Sequence, residues 1–294
     1  MASIVNLKAY DIVLTTSYEF KFGVCGHLYE MIDYYWAIKN WTTFNPCILL
    51  ADGTTIAEFN LAVAQKYDNV KIDNVVYNPQ PKVIIANNLL IVDGSPRLRD
   101  AELLVSNIFL FRCSESDFGY YKGKNVFLLQ DNEIYDDRPS DVAIVDYKKK
   151  ILFSKYKQYK STVENTGMFY LTSVCRALTH NELAHAIRKH GFESYIVLTD
   201  DPSMYAFDFV YRVPVDNMWN MFNTYIYTRV PRQIDCSSRF ILECMHYGKD
   251  VIYDIDYYDK ALEVRKKDGL NGTSLLPTDA FLKLLNEQIK HKTN

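Results

Sequence analysis

The stretch "DCSSRFILECMHYGKDVIYD" (235–254) sets one glutamate, Glu243, among Phe240, Ile241, Leu242, Cys244 and Met245. A carboxylate in so apolar a setting destabilises the fold unless something pairs with it. Arg239 lies four residues earlier on the same helical face, and an intrahelical ion pair is the plainest use of the two. Arg before Glu is the weaker order for such a pair, and Arg239 stands in the first turn, where the helix dipole disfavours a cation. Both features become reasonable when an anion occupies the helix start. Ser237 and Ser238 are natural N-caps and Gly248 suits the position just past the helix end. Backbone amides, two hydroxyls and the Arg239 guanidinium would then converge on a phosphate. Glu243, one turn deeper, would accept hydrogen bonds from both hydroxyls of a ribose.

A second element points the same way. "GMFYLTSVCRALTHNE" (167–182) reads as a strand running into a loop that carries Arg176, with Thr179 capping the next helix. An arginine at the carboxyl end of a strand can neutralise a diphosphate leaving group, although a lone loop arginine is more often surface decoration. Two residues compete as a general base. Asp131 closes the strand "NVFLLQD", where it would face a cleft and take a proton from an acceptor hydroxyl. His27, in "FGVCGHLYE", follows the first strand through a glycine-containing loop into a helix. Asp131 is the favoured base. The "DID" at Asp254 and Asp256 has the form of a metal-held diphosphate motif but is weak by itself and reads as loop chemistry. No G-x-G-x-x-G, P-loop, H-E-x-x-H or G-x-S-x-G occurs, so dehydrogenase, kinase, zinc-protease and α/β-hydrolase readings lack support.

The elements that must position these residues alternate between short apolar runs and helical spacing. Strands are predicted at 11–16, 46–52, 82–94, 107–113 and 125–131, with helices at 27–41 and 57–67. Residues 136–163 break the rhythm with polar and lysine-rich sequence. It restarts with strands at 167–174, 194–200, 208–215, 224–230 and 250–254, and helices at 179–191, 238–247 and 278–291. Apolar runs alternating with helices imply parallel strands buried on both faces. The expected class is α/β: two Rossmann-like, doubly wound domains facing a cleft, with ligands at the carboxyl ends of the strands. The boundary falls between 1–158, for an acceptor, and 159–294, for a nucleotide, with the last helix able to return to the first domain.

With 294 residues the chain suits two domains of roughly 100–200 residues each. It is 48% hydrophobic and 23% charged, which excludes disorder and low complexity. The net charge of −3 does not by itself indicate a nucleic-acid binder. A local patch remains in "KKKILFSKYKQYK" (148–160), where Lys148, Lys149, Lys150, Lys155, Lys157 and Lys160 interleave with aromatic residues. It reads as a solvated linker or as a phosphate-tracking surface. The 23 tyrosines read mainly as half-buried strand residues, some available to stack on sugars or bases. Six dispersed cysteines read as reduced core thiols. No signal peptide and no membrane span are expected, which implies a cytoplasmic protein.

The helix with its glutamate, followed by Gly248 and the apolar strand "DVIYD", resembles the nucleotide-sugar glycosyltransferases of the GT-B fold. Among these the chain looks most similar to bacteriophage glycosyltransferases that sugar hydroxymethylcytosine in DNA. The resemblance implies that Glu243 binds the ribose and Arg176 the diphosphate, and that Asp131 is the catalytic aspartate. His180 stands where that group has a second basic residue. Phe240 stands where it has a phosphate-binding arginine, with Arg239 one residue away as the substitute. Arg229, Arg232, Ser237 and Ser238 would complete the site for a UDP-sugar co-substrate. Arginines and the helix start would replace an obligatory metal, with a divalent ion at most stimulating. The implied partner is double-stranded DNA, the modified base being extruded from the duplex and the lysines of 148–160 and 265–267 holding its backbone. A positioned base implies inversion. Transfer to a small molecule or a glycan, and a non-catalytic nucleotide- or DNA-binding protein, are the alternatives.

Overall fold

A computed structural model describes residues 5–16, 26–50, 54–77, 83–86, 89–93, 102–104, 107–112, 125–130, 143–146, 148–171, 178–213, 215–228, 239–256 and 260–290. The chain is α/β, and among the described residues every strand pairing in its sheets is parallel. Among the described residues, those up to Tyr156 and from Gly272 onward form one compact unit, and Lys157–Asn271 forms the other.

The first unit contains β1 Val5–Asn6, β2 Ile12–Thr16, α1 Gly26–Trp41, β3 Pro46–Leu50, α2 Ile56–Lys66 and β4 Val75–Tyr77. It continues through β5 Val83–Ala86, β6 Leu89–Asp93, β7 Glu102–Leu104, β8 Asn107–Arg112, β9 Asn125–Gln130 and β10 Ala143–Asp146. Seven strands run in the order β10-β9-β8-β6-β2-β3-β4, and a small sheet runs β1-β5-β7. Ile12, Val13 and Leu14 of β2 are all fully buried, as a strand covered on both faces requires. Strand order reverses at β2, with β3 on one side and β6 on the other. α2 begins with a capping box, Thr55 accepting from the Glu58 amide and Glu58 accepting from the Thr55 amide.

Two expectations are corrected here. The predicted strand 82–94 is two strands, β5 and β6, belonging to different sheets. The predicted break at 136–163 contains β10, and its lysine-rich part enters the core. Ile151, Leu152, Phe153 and Tyr156 are buried, and Ile151 and Tyr156 form bridges with Ser274 and Tyr67. Alternation explains it: lysines flank an apolar cluster that seals the unit. The last helix, Ala280–Lys290, belongs with them, since Phe281 packs on Tyr34 of α1 at 4.5 Å between ring centres.

The second unit contains β11 Thr166–Tyr170, α3 His180–His190, β12 Ser194–Thr199, β13 Val210–Arg212, β14 Thr224–Tyr227, α4 Arg239–His246, β15 Asp250–Tyr253 and α5 Lys260–Asp268. Its sheet order is β13-β12-β11-β14-β15. Period-two alternation sorts the strand residues onto two faces. Met168, Ile196, Leu198, Tyr225 and Tyr227 pack with Ile241 and Cys244 of α4 and Leu262 of α5. Phe169, Val197 and Ile226 pack with Leu183 and Ala186 of α3 on the other. Each face therefore carries helix, and the central strands β11 and β14 have no solvated side, whereas Tyr211 and Arg212 of the edge strand β13 are exposed. None of the described helices is long and apolar enough to cross a membrane.

Gly167 of β11 marks the tightest approach. A Cβ there would lie 2.8 Å from Phe192 and 3.1 Å from both Ile226 and Tyr195. Gly167→Ala should destabilise the chain by about 1–3 kcal/mol through overpacking, measured by urea denaturation. An unchanged midpoint would mean that the aromatic lid on β11 yields without strain.

Candidate functional site

In the second sheet the strand order reverses between β11 and β14, because β12 and β13 continue on one side of β11 and β14 and β15 on the other. The helices that follow these two strands pack on opposite faces of the sheet, and the carboxyl ends of strands at such a reversal are the usual ligand position in an open parallel sheet. The start of α4 lies against this point. The Phe240 ring stacks on Tyr170, the last residue of β11, at 4.6 Å and 13°. The same ring stacks on Trp219 at 5.2 Å and meets Tyr225 of β14 edge-on at 5.0 Å. Phe240, aligned by resemblance with a phosphate-binding arginine, is thus a packing residue that fixes the helix.

Arg239 and Glu243 occupy the next face of α4. Arg239 Nε donates to Glu243 Oε1 at 2.7 Å, and the residues are 5% and 2% exposed. The intrahelical pair therefore forms, in its weaker order, out of water. Two neighbouring groups register the burial. Burial pushes the Cys244 thiol well above its ordinary range, with the Glu243 charge adding to the effect. Burial pulls the His246 imidazole down, the Glu243 charge opposing it. Lys249, past the helix end, is also buried and donates to the Phe222 carbonyl at 2.7 Å.

The remaining predicted site residues divide by location. Arg176, Arg229, Arg232, Ser237, Ser238 and Asp131 lie outside the described residues. In chain order Arg176 falls between β11 and α3, and the other two arginines and both serines between β14 and α4. These are the two connections that leave the reversal point. His27 belongs to the first turn of α1, in the connection from β2 to β3 of the first unit. His180 opens α3, its ring stacked on Phe207 at 4.7 Å and 12° and its Nδ1 accepting from the Ala206 amide at 3.4 Å.

Of the lysines read as a DNA surface, Lys149 and Lys150 stand near carboxylates of the first unit, at 3.7 Å from Glu30 and 2.7 Å from Asp279. Lys155 lies 4.8 Å over the Trp36 ring. Lys148 and Lys157 are half-buried, and Lys160 is exposed. Among the described residues no three or more His, Cys, Asp or Glu side chains gather as a metal ion would need.

Sequence reasoning missed two hydroxyls. Thr228 Oγ1, just past β14, and Tyr253 Oη, ending β15, are buried with no hydrogen-bond partner among the described residues. Burial pushes the Tyr253 phenol up to about 12. Their position at the ends of neighbouring strands, β14 at the reversal and β15 at the sheet edge beyond it, was the available signal.

Asp254 of the "DID" is engaged within the unit. Lys189 Nζ bonds its Oδ1, and His190 Nε2 lies 2.7 Å from its Oδ2. Burial alone would raise this carboxyl, but the hydrogen bonds and charges of Lys189 and His190 outweigh it and hold it below the usual carboxylate range. A carboxyl depressed by folding stabilises the native state above its unfolded pKa of 3.8 and loses that contribution as pH falls through the lower folded value. The Tm of Asp254→Asn should therefore trail that of the unaltered chain at neutral pH, and the gap should close below pH 3.8. A gap constant to lower pH would mean that the ion pair is not formed.

The buried pair makes its own prediction. Removing one partner strips the other buried charge of its 2.7 Å ion pair, so Arg239→Ala or Glu243→Ala should each cost about 3–5 kcal/mol in denaturant titration. Arg239→Met with Glu243→Leu should be near neutral or stabilising by about 1–4 kcal/mol. Single losses below about 1 kcal/mol would be those of an exposed pair and would contradict the burial.

No protein-family model, curated protein or solved structure matches this chain.

Proposed function

We propose that this protein is a nucleotide-sugar glycosyltransferase of the GT-B type, with two Rossmann-like units facing a cleft, acting in the host cytoplasm of a phage infection. It moves a hexose or pentose from a UDP-sugar to a hydroxyl, that of 5-hydroxymethylcytosine in double-stranded DNA. The observation that carries the reading is a buried Arg–Glu pair on the helix that begins at the reversal point of a parallel sheet. A hydrophobic helix keeps two opposite charges out of water at the place where such sheets bind nucleotides. In this role Arg239 meets the diphosphate and Glu243 the ribose. Arg176, Arg229, Arg232, Ser237 and Ser238 belong to the connections around the same point and add positive charge and hydroxyl donors. Together they offset the negative charge that grows on the departing diphosphate as the sugar is transferred.

The resemblance assigns the base to Asp131. It accepts the acceptor hydroxyl's proton while that oxygen attacks the anomeric carbon from the face opposite the diphosphate, which inverts the configuration. His27 is the second candidate for this role. A smaller acceptor, a glycan or metabolite hydroxyl, is favoured by one specific observation. Lys149 and Lys150 already serve Glu30 and Asp279, which leaves fewer lysines for a DNA backbone.

The test is the intact mass of a hydroxymethylcytosine duplex after incubation with the chain and a panel of UDP-sugars, beside an unmodified duplex. A hexose or pentose increment on the hydroxymethylated duplex alone is expected, abolished by Asp131→Asn with UDP binding retained. Loss in His27→Ala but not Asp131→Asn would move the base to His27. Donor binding without any increment would move the acceptor off DNA. No binding of UDP would end the reading.

A further inference from the structure

We propose that α4 relays the occupancy of the β11–β14 reversal to the segment by which the chain enters the second unit, so that nucleotide binding at the helix start tightens residues 157–161 at its end. This rests on the reading of the second unit as the donor site. The chain leaves the first unit at Tyr156, and Lys157 opens the second. Before it continues into β11, the entering segment is attached to the last turn of α4. Tyr247 Oη donates to the Lys157 carbonyl at 3.1 Å, and the Tyr247 ring meets that of Tyr159 edge-on at 5.5 Å. A second attachment lies just beyond, where Lys249 Nζ and Ser161 Oγ both donate to the Phe222 carbonyl, at 2.7 and 3.2 Å.

An aromatic row joins the two ends of the helix. The Phe240 ring lies near-parallel to Tyr170 at 4.6 Å and 13°, and to Trp219 at 5.2 Å and 23°. Trp219 then meets Tyr247 at 4.5 Å. Tyr170, Phe240, Trp219, Tyr247 and Tyr159 thus follow one another from the end of β11 to the entering segment. A packed row carries coupling only when an element along it has two positions that both ends bias.

The geometry of α4 suits that role. Its eight residues make a rod of about 12 Å, short enough to shift as one body. Near-parallel rings favour offset stacking, so a small slide at the helix start keeps Phe240 in contact. The far end is more sensitive to position. The Tyr247 bond is long beside the usual hydroxyl-to-oxygen distance of about 2.7–2.8 Å, so a shift toward the segment strengthens it. Gly248 closes the helix at φ 64°, and the Lys249 amide returns to the Cys244 carbonyl at 2.9 Å, so both attachments travel with α4. A nucleotide held by Arg239 and Glu243 fixes the first turn in the position that shortens the Tyr247 bond. Coupling between sites is reciprocal: what UDP adds to the hold on 157–161, that hold adds to UDP binding.

Hydrogen exchange followed by mass spectrometry, paired with calorimetric titration of UDP, tests this. In the unaltered chain, saturating UDP should slow exchange in peptides covering 157–163 by about 2–12-fold, the range that one hydrogen bond contributes. Tyr247→Phe keeps the ring and removes the hydroxyl, so it should reduce that slowing and weaken UDP binding by a similar factor. Tyr195→Phe is the control: its hydroxyl donates to the Ile187 carbonyl at 2.6 Å on the opposite face of the sheet, and its loss should leave UDP affinity unchanged. The measurement on the unaltered chain stands even where a variant fails to fold. UDP binding without slowing in 157–163 would overturn the relay alone. So would slowing that survives undiminished in Tyr247→Phe, or equal loss of affinity in both variants, which is the mark of a loosened unit. Absence of UDP binding would overturn the donor-site reading and the relay with it.

Discussion

A parallel strand covered by helix on both sides has no face left for water, and this constraint organises the second unit. Met168 faces one core and Phe169 the other, and Val197 faces away from Ile196 and Leu198 in the same manner. With both faces committed to packing, polar chemistry is left to the strand ends and to the helix starts that follow them. The reversal between β11 and β14 concentrates that chemistry in one place. The helix that follows β14 is held there by an aromatic stack through Phe240.

Against that background the Arg239–Glu243 pair is the exception that needs a cause. Well-packed leucines of similar size would fill the same space at least as stably. The pair is also built in the less favourable order and against the helix dipole. Local preference and tertiary placement therefore conflict at this point, and such conflicts concentrate at functional sites. The conflict at Asp254 is smaller. Its carboxylate has two partners, Lys189 and His190, at the end of α3, so Asp254 of the "DID" is accounted for by the packing of the unit.

How much of this could be read from residues alone depended on the kind of signal. The strands at 12–16, 46–50, 166–170, 194–199, 224–227 and 250–253 are short apolar runs between turns, and the expected positions agree closely. The oddity of Glu243 was legible because a charge in an apolar run violates a local rule. That Arg239 would take it as partner was legible as one of two options, since spacing shows who can meet but not who is buried. β10 was missed because four residues of apolar sequence lie inside a polar stretch. The helix Lys260–Asp268 was missed because much of it is charged, and Leu262 and Arg265 are buried. The split into β5 and β6 was hidden because the Asn87–Asn88 pair interrupts a run that is apolar on either side. The lysine-rich segment deceived in the opposite direction: its charges are conspicuous, while Thr273 and Leu275, the backbone partners of the buried Ile151, lie more than a hundred positions away.

The central claim is that the carboxyl end of the second sheet, at the β11–β14 reversal, is a nucleotide site. Hydrogen exchange followed by mass spectrometry, with and without saturating UDP, tests it most directly. The account predicts slowed exchange in peptides spanning 171–180 and 228–245, with the first unit unchanged. Protection confined to the first unit, or none anywhere despite measured binding, would contradict it.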